Sequence, residues 1–180
     1  PLGSSYVTTY AYDHHDRLTK VTNAAGTYVT SVFSNHRLTA SETYSYGNTL
    51  LAKTTFGYDS ASRLTTTEVM AKADGGNDIG DGWMTSTIVY DANGNVLTTK
   101  DDGNHETHFT YDAANRLLVT EDAGGSKVTY TYDANGNVLT KKVEEKQIGV
   151  SGFDTFESRF QYDNLNRLTK AIDPASEETV

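Results

Sequence analysis

Tyr130-Thr131-Tyr132-Asp133-Ala134-Asn135-Gly136-Asn137-Val138 is the stretch that decides how this chain folds. Two aromatic residues stand two apart with a threonine between them, a period-two spacing that sets both rings on one face of a β-strand. Asp133 follows at once, and its carboxylate is placed to accept a backbone N–H two residues on, closing an Asx-type turn. Gly136 supplies a position that tolerates positive φ. Val138 then opens a returning apolar strand, so the nine residues read as a strand end, a reversal and a strand start.

The same phrase recurs along the chain. Tyr-Asp stands at Tyr12-Asp13, Tyr58-Asp59, Tyr90-Asp91, Tyr111-Asp112, Tyr132-Asp133 and Tyr162-Asp163, with a degenerate, one-residue-short copy at Phe33-Ser34. Two residues before the tyrosine comes Tyr10, Phe56, Ile88, Phe109, Tyr130 or Phe160; six residues after it comes Leu18, Leu64, Val96, Leu117, Val138 or Leu168. Four residues after it stands Asp16, Ser62, Gly94, Asn115, Gly136 or Asn166. All but Ser62 are types that tolerate a left-handed backbone. Tyr12 to Phe33 and each step from Tyr90 through Tyr111 to Tyr132 is 21 residues, which is the basic unit. Second reversals fall at Asn23 to Gly26, Gly47-Asn48, Asp101 to Asn104 and Asp122 to Gly125. The longest intervals carry insertions at Ala73–Gly82 and Glu144–Gly152, both at this second turn, which places them on one rim of the sheet.

A fixed repeat of this size decides the architecture. Seven units of two strands predict about fourteen antiparallel strands: an all-β fold of tandem hairpins in a long, meandering, curved sheet, an open spiral or shell segment. The organisation expected is a four-residue expression scar, Pro1-Leu2-Gly3-Ser4, followed by a single repeat array over residues 5–180. The aromatic and Leu/Val stripe is expected on one packed face, and both terminal strands are expected to be raw edges.

Composition narrows the function. With 15 Lys plus Arg against 24 Asp plus Glu, the net charge of −9 disfavours nucleic acid and anionic membranes as partners. Cysteine is absent, which removes disulfides, thiolate metal sites and a cysteine nucleophile together. No run of about 20 apolar residues is present to span a bilayer. No nucleophile triad, phosphate-binding loop or convergent carboxylate pair stands out, so no catalytic residue, metal or cofactor is expected.

At these residues the sequence resembles the YD-repeat, or Rhs-repeat, family, whose motif reads Tyr-x-Tyr-Asp-x-x-Gly-Arg-Leu. Tyr10 to Leu18 and Gln161 to Leu168 match it closely, whereas Tyr132 to Val138 keeps the glycine but has Asn137 in place of arginine. The resemblance runs from about Tyr6 to Ile172. It implies a bacterial secreted or cell-surface polypeptide whose repeats form a β-shell that encloses or presents a toxin or other effector domain. Its expected partners are adjacent repeats or that effector domain. The alternative is an adhesin-like module that binds carbohydrate or a cell-surface protein, and the open edge strands invite self-association.

Four motifs admit a second reading. The Asp-x-Asn-Gly-Asn turns at Asp91 and Asp133 alternate oxygen ligands as calcium loops do. They lack the glycine at the sixth position, where Val96 and Val138 stand, which favours a plain hairpin turn. His105-Glu106-Thr107-His108 resembles a zinc-protease signature one residue short; on a strand its two imidazoles point to opposite faces. Arg17, Arg63, Arg116 and Arg167, with Arg37 in the degenerate copy, are expected to bridge turn aspartates of their own or a neighbouring hairpin as a ladder. The repeat positions Tyr12, Asp13, Leu18, Tyr58, Asp59, Leu64, Tyr90, Asp91, Gly94, Tyr111, Asp112, Leu117, Tyr132, Asp133, Gly136, Tyr162, Asp163 and Leu168 are read as structural. Trp83, between Gly82 and Met84 in the longest insertion, is the candidate for exposed ligand contact.

Overall fold

The computed structural model describes residues 7–70, 82–147, 149 and 152–173. Pro1–Ser4, the insertion over residues 73–81 and the C-terminal residues after Asp173 lie outside that set. The described residues contain fourteen strands and no helix: β1 Thr9–Tyr12, β2 Leu18–Thr22, β3 Tyr28–Ser34, β4 Arg37–Tyr44, β5 Leu50–Tyr58, β6 Leu64–Met70, β7 Trp83–Tyr90, β8 Val96–Lys100, β9 Glu106–Tyr111, β10 Leu117–Glu121, β11 Lys127–Tyr132, β12 Val138–Lys146, β13 Phe153–Tyr162 and β14 Leu168–Ile172. They form one sheet whose order follows the chain from β1 to β14. Every described register is antiparallel. Six Tyr-Asp units and the degenerate copy have become seven strand pairs.

The chain divides into two compact units, Pro1–Thr87 and Ile88–Val180. In the first, Tyr10 stands opposite Val21, Tyr12 opposite Leu18, Val21 opposite Val29, Phe33 opposite Leu38 and Tyr58 opposite Leu64. Following side-chain alternation through these pairs puts all of them on one face. The other face pairs Ala11 with Lys20, Thr30 with Glu42, Glu42 with Lys53 and Thr55 with Glu68. Tyr28 and Tyr44, which lie outside the Tyr-Asp frame, stack on this second face with ring centres 5.0 Å apart, and the Lys20 ammonium sits 3.7 Å above the Tyr28 ring. Tyr44 donates its hydroxyl to Glu42 at 2.8 Å.

The second unit repeats the segregation. Tyr111 faces Leu117, Val128 faces Val143, Tyr132 faces Val138, Val143 faces Phe156 and Tyr162 faces Leu168. Lys141, opposite Tyr130, and the pair Glu145 with Asp154 are charged exceptions on this face. The reverse face is a ladder of threonines and ion pairs: Lys100 to Glu106 at 3.5 Å, Lys127 to Glu121 at 3.1 Å, Lys142 to Glu144 at 2.8 Å and Arg159 to Glu157 at 2.7 Å. Solvent-exposed pairs of this kind contribute about 0–1 kcal/mol each, and each cross-strand contact in the sheet about 0.2–1 kcal/mol. Stability is therefore spread over many small lateral terms.

Among the described residues the only buried hydrophobic side chain is Ala40, at 8% exposure, and the aromatic stripe is half-buried by its own in-plane neighbours. At β1, which has a neighbour on one side only, Tyr10 and Tyr12 are each 59% exposed. Two of the longer intervals are taken up as strand. The extra residues between Phe33 and Tyr58 lengthen β4 and β5 to 8 and 9 residues. Glu144–Lys146, assigned from sequence to an insertion, is strand, because Phe153–Thr155 pairs with it and continues the ladder beyond the standard unit.

Candidate functional site

The chemistry of this chain is concentrated at its turns. After each Tyr-Asp the aspartate N–H donates to the carbonyl four residues on, and the N–H three residues on donates back to the aspartate carbonyl. Examples are Asp13 N to Arg17 O at 3.0 Å and Asp16 N to Asp13 O at 3.1 Å. The residue that returns this bond lies in the left-handed region in all six copies: Asp16 at φ 57°, Ser62 at 70°, Gly94 at 94°, Asn115 at 60°, Gly136 at 94° and Asn166 at 60°. Ser62 adopts it despite its Cβ, since the turn frame and the strands on either side over-determine the backbone. The opposite rim uses the same five-residue turn, headed by Asn23, Ser45, Asp101 and Asp122. Only the degenerate copy differs among the described turns between standard units. Its Ser34 pairs directly with Arg37 around Asn35 and His36, with φ of 47° and 65°, a two-residue primed turn.

The recurrent aspartate is the hub of each standard turn. Asp112 Oδ1 accepts the N–H groups of Ala114 at 2.8 Å and Arg116 at 2.9 Å, while Oδ2 accepts Arg116 Nε at 2.6 Å. Asp13 with Arg17, Asp59 with Arg63, and Asp163 with Arg167 repeat the carboxylate–Nε contact at 2.7 Å. Of the arginines expected to form a ladder, Arg17, Arg63, Arg116 and Arg167 thus meet the aspartate of their own hairpin, and Arg37 does not. Hydrogen bonds to the ionised form hold these carboxyls below the ordinary range. The Arg17 side chain leads at Asp13, the backbone N–H of the following arginine at Asp59, Asp112 and Asp163, and the Asn95 and Asn137 side chains at Asp91 and Asp133. At the Asp91 and Asp133 turns the carboxylate is occupied the same way, by Asn93 N, Asn95 N and Asn95 Nδ2 in the first. These turns are capped hairpins.

Consecutive hairpins are joined at this rim in two ways. In the arginine junction, the guanidinium of one hairpin covers the aromatic ring of the next: Arg17 over Phe33 at 4.5 Å, Arg37 over Tyr58 at 5.5 Å and Arg116 over Tyr132 at 4.6 Å. Where the ring is tyrosine, its hydroxyl donates to the leucine carbonyl beside that arginine, Tyr58 to Leu38 at 2.8 Å and Tyr132 to Leu117 at 2.7 Å. Arg116 and Arg37 also donate to the carbonyl of the next turn, Asp133 O at 2.9 Å and Asp59 O at 3.1 Å. In the asparagine junction, Asn115 Oδ1 accepts both Asn93 and Asn95 side-chain amides at 3.0 and 2.8 Å. Asn166 Oδ1 accepts Asn135 and Asn137 at 3.0 and 2.9 Å.

Sequence reading missed the asparagine junction, although its signal is visible. The two copies that carry Asn in place of Arg are those followed by a copy with Asn at the left-handed position. The remaining candidates fall as follows. Leu18, Leu64, Leu117 and Leu168 each stand opposite their own tyrosine, and Tyr90 ends β7. Trp83 is the first residue of β7, half-buried and paired with Met70, so it belongs to the ladder and not to an exposed insertion. His105 is a turn residue bonded through Nδ1 to Asp101 at 3.0 Å. His108 lies on β9 opposite Thr98 and Glu121.

These turns, strands and junctions define a tandem β-hairpin repeat protein. A family model described as RHS Repeat matches residues 1–28, 90–126 and 117–145, and the Tyr-Asp repeat is consistent with the Rhs, or YD, repeat family. No curated protein gives a significant sequence match. Among solved structures, TcdB2-TccC3 without its hypervariable C-terminal region aligns with 91% of this chain and 13% of its own, at 15% identity and a TM-score of 0.38. The Photorhabdus luminescens Tc holotoxin pore with a mutation in TccC3 aligns over 92% of this chain and 11% of its own, at 14% identity and a TM-score of 0.38. The chain spans about an eighth of the length of these structures.

Proposed function

We propose that this chain is a non-catalytic structural segment of a secreted or cell-surface Rhs-repeat protein, and that it forms part of a β-shell enclosing or presenting a toxin or other effector domain. The observation that carries the reading is the division of labour between faces. In each unit the repeat places Tyr, Phe, Leu and Val on one side and, in the second unit, an ion-pair ladder on the other. Among the described residues no second layer covers this face, and an apolar sheet face of that kind is a surface made to be covered. The turn aspartates are engaged in holding hairpins together, which leaves them no part in acid–base chemistry. Among the described residues no helix is long and apolar enough to cross a membrane.

The test uses the longer polypeptide in which the proposal places this segment, with a photo-crosslinking residue at Tyr130 on the aromatic face or at Thr131 on the reverse face. Crosslinks from Tyr130 to a part of the same polypeptide outside residues 1–180, with none from Thr131, are expected. Equal yields from both positions, or crosslinks from Tyr130 only to foreign proteins, would overturn it.

A further inference from the structure

The degenerate copy at Phe33-Ser34 differs from the others by a missing residue and a missing carboxylate, and the consequence falls on Arg37. In four other copies the repeat arginine meets the turn aspartate of its own hairpin at 2.6 to 2.7 Å. In the degenerate copy Ser34 occupies the aspartate position. Arg37 Nη1 donates to the Asp59 backbone carbonyl at 3.1 Å, and the guanidinium lies 5.5 Å from the Tyr58 ring. Those contacts hold the group in place without supplying an anion.

Where the other copies carry their carboxylate, this one has open space. Arg37, Ser34, Asn35, Thr39, Phe56 and Tyr58 line a notch of about 200 Å³, room for a carboxylate with a short apolar stem. Along this rim Asp13 is engaged by Arg17 and Asp59 by Arg63. His36 lies 5.2 Å from His15, which is 3.8 Å from His14, and Arg17, paired with Asp13, covers Phe33 on the preceding junction. Three histidines and two arginines thus meet beside Asp13 and Asp16 at one end of two adjacent hairpins.

We propose that this notch is a binding site for a carboxylate supplied in trans, the side chain of an Asp or Glu on an acidic partner segment. The incoming carboxylate accepts from the Arg37 guanidinium as the turn aspartate does elsewhere in the array, with Ser34 and Asn35 offering further donors and Phe56 and Tyr58 receiving its methylenes. Arginine suits this role because its planar fork matches a carboxylate in a bidentate manner. A single partly exposed ion pair is worth about 0–1 kcal/mol, so a small probe binds weakly, at roughly 0.2 M or above. Affinity in a complex comes from the rest of the acidic segment.

The experiment follows the side-chain Nε–Hε resonances of the ¹⁵N-labelled chain by NMR while N-acetyl-aspartate methylamide, sodium acetate or sodium chloride is added at matched ionic strength. Expected is a saturable shift of the Arg37 resonance with the aspartate derivative and with acetate, and none with chloride. Arg17, Arg63, Arg116 and Arg167 should stay still, because their own aspartates already fill the place. Ser34→Asp puts a carboxylate directly across the strand pair from Arg37 and should weaken probe binding at least tenfold while leaving the fold intact; Arg37→Gln should abolish it. A response linear in concentration, a response shared by all five arginines, or undiminished binding in Ser34→Asp would overturn the proposal. Saturation with acetate but not with the aspartate derivative would place the site with free small anions and overturn the acidic segment as its occupant.

Discussion

Replacing Tyr132 by phenylalanine isolates one bond of the arginine junction. The substitution keeps the ring under Arg116 and removes only the hydroxyl that donates to Leu117 O at 2.7 Å. A hydrogen bond of this kind contributes about 0.5–1.5 kcal/mol net, and leaving a half-buried carbonyl without its donor puts the loss near about 1 kcal/mol. With a urea dependence of about 2 kcal/mol per molar, the midpoint should fall by roughly 0.5 M. Tyr111 and Tyr162 are the internal controls. Both follow asparagine junctions, and among the described residues their hydroxyls make no such bond, so Tyr111→Phe and Tyr162→Phe should move the midpoint by less than about 0.2 M. Combining Tyr132→Phe and Tyr132→Ala with Arg116→Ala in double-mutant cycles should assign a further ~0.5–1 kcal/mol to the guanidinium over the ring. Equal losses for Tyr132→Phe and Tyr111→Phe in urea titrations followed by circular dichroism would refute the two-junction account.

Because the turn carboxyls at Asp13, Asp59, Asp91, Asp101, Asp112, Asp133 and Asp163 are all depressed in the folded chain, the unfolded chain takes up protons first as pH falls. Their contribution is therefore fully present well above the unfolded value of about 3.9 and drains away below it; stability that stays flat from pH 6 to pH 2.5 in urea titrations would contradict this. Ser62→Gly relieves a left-handed serine at φ 70° and should stabilise by about 0.5–1 kcal/mol, read as a rise in melting temperature, whereas Gly94→Ala should lower it. Asn166→Gly keeps the turn geometry but removes the acceptor shared by Asn135 and Asn137. It should cost about 0.5–1 kcal/mol in urea, and no loss would mean that the rim amides are solvated singly. Under the structural reading, millimolar polysaccharide should leave Trp83 fluorescence unchanged, since the indole opens a strand beside Met70; saturable quenching would favour the adhesin-like alternative.

How much of this was legible beforehand follows from what is local. Aromatic alternation and turn chemistry act within about ten residues, so Tyr10 to Leu18 already contains two strands, their shared face and the reversal between them. Each 21-residue repeat restates the same instruction, and fourteen strands in chain order follow by repetition. Where the period stretches, locality gives no answer. Glu144–Lys146 was assigned to an insertion because nothing within its own stretch marks it as strand; its pairing partner, Phe153–Thr155, makes it one. Trp83 was misplaced for the same reason, since its position depends on Met70 across the sheet.

The sequence by itself determined the hairpin, its period and the one-sided aromatic stripe, because each arises from backbone preference and side-chain alternation over a few neighbouring residues. Only the tertiary structure decided how one hairpin grips the next. Whether Arg116 reaches a tyrosine ring and a turn carbonyl, or Asn137 hands its amide to Asn166, depends on register between hairpins whose contacting residues are 17 and 29 apart in the chain. The same holds for Arg37: the missing aspartate is plain to read, but the notch it leaves exists only once β3, β4 and β5 lie side by side.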